Sequence, residues 1–276
     1  MAGFSPSSRL MTDWVAIGLL DSPDRHGLGR GKGISATWPD QQRQLFLTLL
    51  DKRPDVTEIA TLCNIPVFVW LWWGDDLVPR RQALRALTTW AGAHARRSWR
   101  KSLWTARQLV EQMGSPDASR ADRDRLVDLV ARAGYGGVFD PQAVEDALKR
   151  VMDPGGNGRT IGPRGLHFTA EGYRFIIESR LLAINALSEH RVEPEALEWA
   201  RAEYVQTRQE YADLVIRLVA DDPDQAHQIL THMPGSPVLL PPTLEQAANS
   251  ACVDLLTTLG TFYYVQRRQE QQARPS

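Results

Sequence analysis

The chain has 276 residues, of which 43% are hydrophobic and 24% are charged, and its formal net charge is −1. This length and apolar content predict one or two domains with a sizeable core, and the net charge by itself argues neither for nor against a nucleic-acid partner. The charge is uneven, because residues 1–110 carry 15 Lys and Arg against 9 Asp and Glu, whereas residues 111–276 carry 17 against 24. A basic front half is typical of a polyanion-binding module, although chance variation along an ordinary enzyme gives the same imbalance.

Several classes of protein are disfavoured by what the sequence lacks. The two cysteines, Cys63 and Cys252, lie in apolar runs and predict buried thiols in a reducing compartment, so we expect a cytoplasmic protein. No group of metal ligands at motif spacing occurs, and we expect no metal and no cofactor. The start of the chain shows no signal peptide, and the most apolar run, residues 65–73, is far shorter than the about 20 residues of a membrane-spanning helix.

In chain order, a first helix is predicted over residues 5–20. Its apolar positions Leu10, Trp14 and Ile17 follow the helical period, and Gly18 ends the pattern. Residues 21–37 are rich in glycine and basic side chains and predict a loop or a hairpin.

Two further helices are predicted before residue 64. The second opens at Trp38-Pro39-Asp40 and stops before Pro54, and the third covers about residues 56–63. The apolar run 65–73 predicts core, and Gly74-Asp75-Asp76 predicts a turn.

One long helical pattern then runs from Pro79 to Met113, with Trp90 and Trp104 among its apolar positions. Its remaining positions are strongly basic, which predicts either a solvated face, the interpretation that we favour, or an extension of a nucleic-acid footprint. These basic positions are Arg80, Arg81, Arg85, Arg96, Arg97, Arg100, Lys101 and Arg107.

The back half is predicted to be helical as well. Its candidate helices cover about residues 121–133, 141–151, 169–189, 194–220, 223–232 and 243–268. A glycine-rich stretch at 153–165 and a proline-rich stretch at 234–242 interrupt them. The helices 194–220 and 243–268 are long enough to pair as an antiparallel hairpin, within one chain or across two. The fold class predicted for the whole chain is therefore mainly α with one small β-ribbon.

The first 75 residues or so resemble the MerR family of DNA-binding regulators. The matching pieces are a helix Arg9–Leu20 ending in Ile17-Gly18-Leu19-Leu20, a basic wing at residues 25–35, the aromatic Trp38, and helices at 41–50 and 56–62. The resemblance implies a winged helix-turn-helix domain at residues 1–78, a long basic connecting helix at 79–113, and an all-helical dimerisation or sensor domain at 114–276. It implies sequence-specific binding to double-stranded DNA, a role in transcription regulation, a homodimer, and a small-molecule or protein effector at the C-terminal domain.

The resemblance also implies the residues that touch DNA. The reading helix would present Ser7, Ser8, Arg9, Thr12 and Asp13 outward, while Trp14 would either pack inward or lie against the DNA backbone. The wing would bring Arg25, His26, Arg30 and Lys32 to phosphates, and its glycines would let the backbone approach closely.

The sequence departs from the family in two places. The family has a helix ahead of the reading helix, whereas only Met1 to Phe4 precede Ser5, so either another segment supports the reading helix or an upstream sequence encodes the missing one. In the family a basic residue followed by an aromatic one precedes the second helix. Here these two positions are Thr37 and Trp38, so the basic residue is replaced and one expected phosphate contact is removed.

Other interpretations of the same residues stay open. The wing can be a solvated surface hairpin; a phosphate-cradling loop is disfavoured, because Gly33 stands where that motif needs Ser or Thr. The chain can be an excisionase-like or plasmid-maintenance factor that bends DNA, or a helical protein-interaction scaffold without DNA binding. An enzyme ranks last, because the six His are scattered and no G-x-S-x-G occurs. We therefore expect no catalytic residues.

Overall fold

The computed structural model describes residues 8–27, 34–94, 98–156, 169–221, 224 and 243–273. Within these ranges the chain is mainly helical, and its strands form one two-stranded antiparallel sheet, which confirms the predicted mainly α fold. None of the described helices combines the length and hydropathy needed to cross a bilayer.

The described elements fall in the following order. In the front half they are α1 (Ser8–Ala16), β1 (Asp24–Gly27), β2 (Ile34–Thr37), α2 (Asp40–Lys52), α3 (Asn64–Trp73) and α4 (Arg80–His94). In the back half they are α5 (Trp99–Met113), α6 (Arg120–Gly136), α7 (Pro141–Met152), α8 (Ala170–Ser188), α9 (Pro194–Asp221) and α10 (Leu244–Gln272). Short 3-10 turns occupy Arg53–Asp55, Ile59–Cys63 and Gly74–Asp76.

The chain divides into two compact units, and their boundaries differ from the predicted domains. The first unit comprises the described parts of Met1–Ala93 and Pro242–Cys252, and the second those of His94–Pro241 and Val253–Ser276. Helix α4, which was predicted to be part of a connector, therefore belongs to the first unit. Helix α10 begins in the first unit and continues in the second.

Local capping explains where several helices begin. The side chains of Ser98, Ser119, Asp140 and Thr169 each accept a hydrogen bond from a backbone N–H in the first turn of α5, α6, α7 and α8 respectively. Helix α6 ends at Gly137, whose φ of 69° lies in the left-handed region. These signals are readable from sequence, and the predicted bounds of α6 to α8 agree with the structure within a few residues.

The first unit is built around large apolar side chains from its helices and from the turn after α1. The best-buried of these are Trp14, Leu19, Leu20, Leu49, Trp70, Leu71 and Leu87. Beside this core the strands pair in a register that sets Asp24 opposite Thr37 and Gly27 opposite Ile34. The predicted hairpin is therefore present, although the tip at residues 28–33 lies outside the described part of the chain.

The second unit has a core formed mainly by α5, α6 and α7, with Ile177 of α8 added to it. Further along, α9 and α10 run antiparallel, since Arg208 pairs with Asp254 at 2.7 Å and the rings of Trp199 and Phe262 lie 5.6 Å apart. The predicted hairpin of the two long helices thus forms within one chain.

Three predicted helices need correction. The first helix covers Ser8–Ala16 and not residues 5–20, of which 5–7 lie outside the described part. The third, predicted at 56–63, is wrong: a 3-10 turn at Ile59–Cys63 leads into α3, whose first turn accommodates Pro66. The pattern 79–113 forms two helices, α4 and α5. Of the helix predicted at 223–232, the structure describes Asp224 alone, in helical conformation.

Candidate nucleic-acid interface

Helix α1 is held to the first unit by one face and is open on the other. Trp14 is only 2% exposed, and its ring lies 5.3 Å from that of Phe46 in α2. Arg9, Thr12 and Asp13 are exposed on the opposite side. A short helix with a fixed apolar face thus presents a polar face to solvent.

The turn after α1 is pressed against α4. Gly18 adopts a φ of 86°, and a Cβ at this position would overlap the backbone nitrogen of Ala86 and lie 2.8 Å from its Cα. The guanidinium of Arg85 donates to the carbonyl oxygen of Val15 at 2.9 Å, and Leu19 and the residue after it are fully buried. The Gly-Leu-Leu sequence therefore permits close approach of two backbones in addition to ending the helix.

A carboxylate in this turn is fixed by a two-pronged ion pair. Asp21 is 5% exposed, and Arg81 donates to its two oxygens from Nε at 2.9 Å and from a terminal nitrogen at 2.6 Å. This carboxylate raises the pKa of Arg81, by its hydrogen bond first and by charge attraction second. The indole N–H of Trp38 donates to the carbonyl oxygen of Asp21 at 3.0 Å, which ties the far end of the hairpin to the same turn.

Two buried amides complete the connection between these elements. Gln42 accepts from the backbone N–H of Asp21 at 2.9 Å and donates to the side chain of Gln82 at 2.8 Å. Gln82 in turn donates to the carbonyl oxygen of Leu19 at 3.0 Å. Because a buried amide is costly to leave without partners, this chain of bonds fixes the turn between α1 and β1 relative to α2 and α4.

The sequence did not single out this arrangement. Arg81 and Arg85 were predicted to lie on a solvated or nucleic-acid-binding face. Arg81 binds the turn after α1 while its side chain stays 66% exposed, and Arg85 binds Val15 in the last turn of α1. The available signal was the acid at the end of an apolar Gly-Leu-Leu-Asp run, Asp21, but its partner is 60 residues away. Such a pairing cannot be read from local periodicity.

The residues predicted to touch DNA differ in their exposure. Arg9, Thr12, Asp13, Arg25 and His26 are exposed. The prediction that the Trp14 side chain contacts DNA is wrong, because burial against Phe46 removes it from the surface; of its two predicted orientations, the inward one is found. The structure does not describe Ser7, Arg30 and Lys32, nor the side chain of Ser8.

The charges on the described surface are balanced. Exposed Arg9 and Arg25 are accompanied by exposed Asp13 and Asp24. A net positive charge at this surface would therefore depend on Arg30 and Lys32 in the hairpin tip. An open groove near α1 has a lining that includes Leu10, Ile17, Val56 and Ile59.

In the part of the chain that the structure describes, no three His, Cys, Asp or Glu side chains are placed to hold a metal ion. Neither Cys63 nor Cys252 is in a disulfide and both are buried, as predicted. Compared with protein-family models, with curated proteins and with solved structures, the chain matches none.

Proposed function

We propose that this chain is a sequence-specific double-stranded DNA-binding protein that acts as a transcription regulator. The observation that carries the proposal is the position of α1: its apolar side is locked by Trp14 and the Gly18 turn, and its polar side is open. A helix held in this way can enter a groove of DNA without unfolding or reorganising.

The dimensions and the chemistry of α1 suit the major groove. Its nine residues are about 13 Å long, and the groove is about 12 Å wide. Arg9 can donate two hydrogen bonds to guanine, Thr12 can contact a thymine methyl, and Asp13 can accept from cytosine. Three side chains of different hydrogen-bonding character on one face are what direct base readout requires.

The hairpin supplies the second contact in the proposal. Arg25 and His26 lie exposed on β1, beside a tip that carries Arg30 and Lys32 in the sequence. These cations would bind phosphates next to the groove that α1 occupies and would fix its register. The order helix, two-stranded hairpin, helix supports the resemblance to the winged helix-turn-helix of MerR regulators.

The remainder of the chain fits a supporting role in this proposal. Two-fold DNA sites are bound by dimers, and the helical second unit would supply the dimer contact and an effector site. We propose no catalytic activity. In this proposal α2 and α4 hold α1 in position, through Phe46 and Ala86.

The proposal is tested by selecting bound duplexes from a random library and measuring affinity for the selected sequence by fluorescence anisotropy. Arg9→Ala should reduce discrimination against mismatched duplexes by about 1–3 kcal/mol. Arg25→Ala should weaken binding to all duplexes and reduce the slope of log affinity against log salt by about 0.9.

Arg120→Ala is the matched control, because Arg120 is 95% exposed in the second unit and its removal should change neither quantity. No enrichment from the library, together with no salt-sensitive retention on DNA, would contradict the proposal and favour the scaffold. Bending of the selected duplex without an effect on transcription would favour the DNA-bending accessory factor.

A further inference from the structure

The solvent face of α5 carries a large exposed aromatic side chain. Trp104 is 65% exposed, more than any other tryptophan of the chain. It was one of the apolar positions of the helix predicted over 79–113, but the buried side of α5 is formed by Ala106, Val110 and Met113. Because these residues fix the rotation of the helix, Trp104 cannot reach the core.

Two arginines flank this indole along the helix axis. Arg100 lies four residues before Trp104 and Arg107 lies three residues after it, so the three side chains share one stripe, with Lys101 at its edge. Arg100 and Arg107 are separated by about 10 Å along the axis, with Trp104 between them.

The stripe is cationic, and its two arginines are not used in ion pairs by the described part of the fold. Residues 99–108 include no Asp or Glu. Within the described part of the chain neither Arg100 nor Arg107 forms an ion pair, in contrast to Arg81 with Asp21 and Arg132 with Asp128. These two guanidinium groups are therefore available to a ligand.

The charge and the shape of the stripe decide between the possible occupants. A second copy of the same stripe would bring like charges together, which disfavours self-association through it. A membrane surface needs an extended apolar face, and here the apolar face of α5 is buried in the core. A ligand that carries negative charges, with a flat apolar group next to each of them, matches both the arginines and the indole of Trp104.

We propose that Arg100, Trp104 and Arg107 form a docking surface for single-stranded nucleic acid, beyond the duplex contact proposed above. The arginines bind two phosphates of one strand, and the indole stacks on an unpaired base between them. One aromatic platform and two phosphate contacts give weak binding without sequence preference. The dissociation constant expected at physiological salt is on the order of 10⁻⁴ to 10⁻⁶ M, as for non-specific nucleic-acid binding.

The experiment measures the fluorescence anisotropy of a labelled short oligothymidylate titrated with the full chain at several salt concentrations. Trp104→Ala should weaken binding about 5- to 150-fold without changing the salt slope. The pair Arg100→Ala with Arg107→Ala should reduce the slope of log affinity against log salt by about 1.4.

Two matched controls should bind as the wild-type chain does. One is Arg120→Ala with Arg125→Ala, which removes two exposed arginines from α6, and the other is Trp73→Ala, which removes a tryptophan that is 56% exposed. Circular dichroism spectra and thermal melts should show that every variant is folded.

Three outcomes would overturn this inference. The first is no binding of oligothymidylate by the wild-type chain, and the second is equal binding by all variants. The third is that the α5 variants lose binding to polyglutamate or to anionic vesicles but bind oligothymidylate as the wild-type chain does. The duplex experiment is independent, because a loss of duplex discrimination in Arg9→Ala can occur with or without any effect at α5.

Discussion

At the scale of single residues, Gly18 shows how one position serves both backbone conformation and packing. Its φ of 86° is accessible to glycine at little cost, and its missing side chain leaves room for the backbone of α4. The sequence predicted the end of a helix at this residue, but it held no sign of the close approach. Local reasoning thus identified the correct residue for only one of its two functions.

The substitution Gly18→Ala should destabilise the protein by about 3 kcal/mol or more, because the left-handed backbone and the overlap with Ala86 both add strain. Urea denaturation measures the change. Gly92→Ala is the control: Gly92 lies exposed in α4, and a Cβ there meets nothing within 4 Å, so this substitution should raise stability by up to about 1 kcal/mol. Equal effects of the two substitutions would contradict the packing described at Gly18.

Cys63 predicts a dependence of stability on alkaline pH. Burial raises the pKa of its thiol from 9.0 to about 12. Since the unfolded chain releases this proton near pH 9 and the native chain keeps it, the contribution is fully present below pH 9 and is lost as the pH rises toward 12.

Relative to Cys63→Ala, the wild-type chain should lose about 1.4 kcal/mol of stability between about pH 8 and about pH 10. Chemical denaturation of both proteins at each pH measures the difference, and the contributions of other titrating groups cancel. A constant difference across this range would mean that the Cys63 thiol ionises in the native state as it does in the unfolded chain.

At the scale of elements, capping and periodicity predicted most of the described helices, and the failures have physical causes. Helix α7 was predicted at 141–151 and is found at Pro141–Met152, because Asp140 and Pro141 define its start locally. The stretch 79–113 was predicted as one helix because apolar and basic residues continue through it. Ser98 caps a new helix there by accepting from the N–H of Lys101.

The phase of the apolar residues along the sequence changes between α4 and α5. Continued from Trp90 with 3.6 residues per turn, one straight helix would bury positions near 101, 104 and 108. The structure instead buries Ala106, Val110 and Met113, on the opposite side. Trp104, one of the apolar positions of the predicted helix, is found exposed.

The candidate site was predictable in part. The resemblance to the MerR family implied that Arg9, Thr12 and Asp13 face outward on the first helix, and these three residues are exposed. The contacts that hold α1 in place, such as Asp21 with Arg81, join distant parts of the chain and were not predicted. A pattern with a local period cannot identify them.

At the scale of the whole molecule, the first unit is discontinuous in sequence. The side-chain amide of Asn64 donates to the carbonyl oxygen of Glu245 at 3.5 Å, across 181 positions, and Ala248 is fully buried. No property of residues 1–78 indicates that the start of α10 belongs to the same unit. The three predicted domains were each one continuous stretch of the chain, whereas the first unit of the structure is made of two stretches.

This membership predicts that a change near the C-terminus destabilises the N-terminal unit. Ala248→Asp places a carboxylate at a fully buried position and should cost about 3 kcal/mol or more. The matched control Asn249→Asp adds an acid at the adjacent exposed position and should change stability by less than about 0.5 kcal/mol.

Pulsed thiol labelling of Cys63, followed by peptide mass spectrometry, reads the opening of the first unit directly, because this thiol is buried there and free. Under native conditions Cys63 should be labelled at least about 100-fold faster in Ala248→Asp than in the wild-type chain. Each 1.4 kcal/mol of lost stability multiplies the population of the open state tenfold. Labelling of Ala248→Asp at the wild-type rate would mean that residues 242–252 do not stabilise the unit that presents α1.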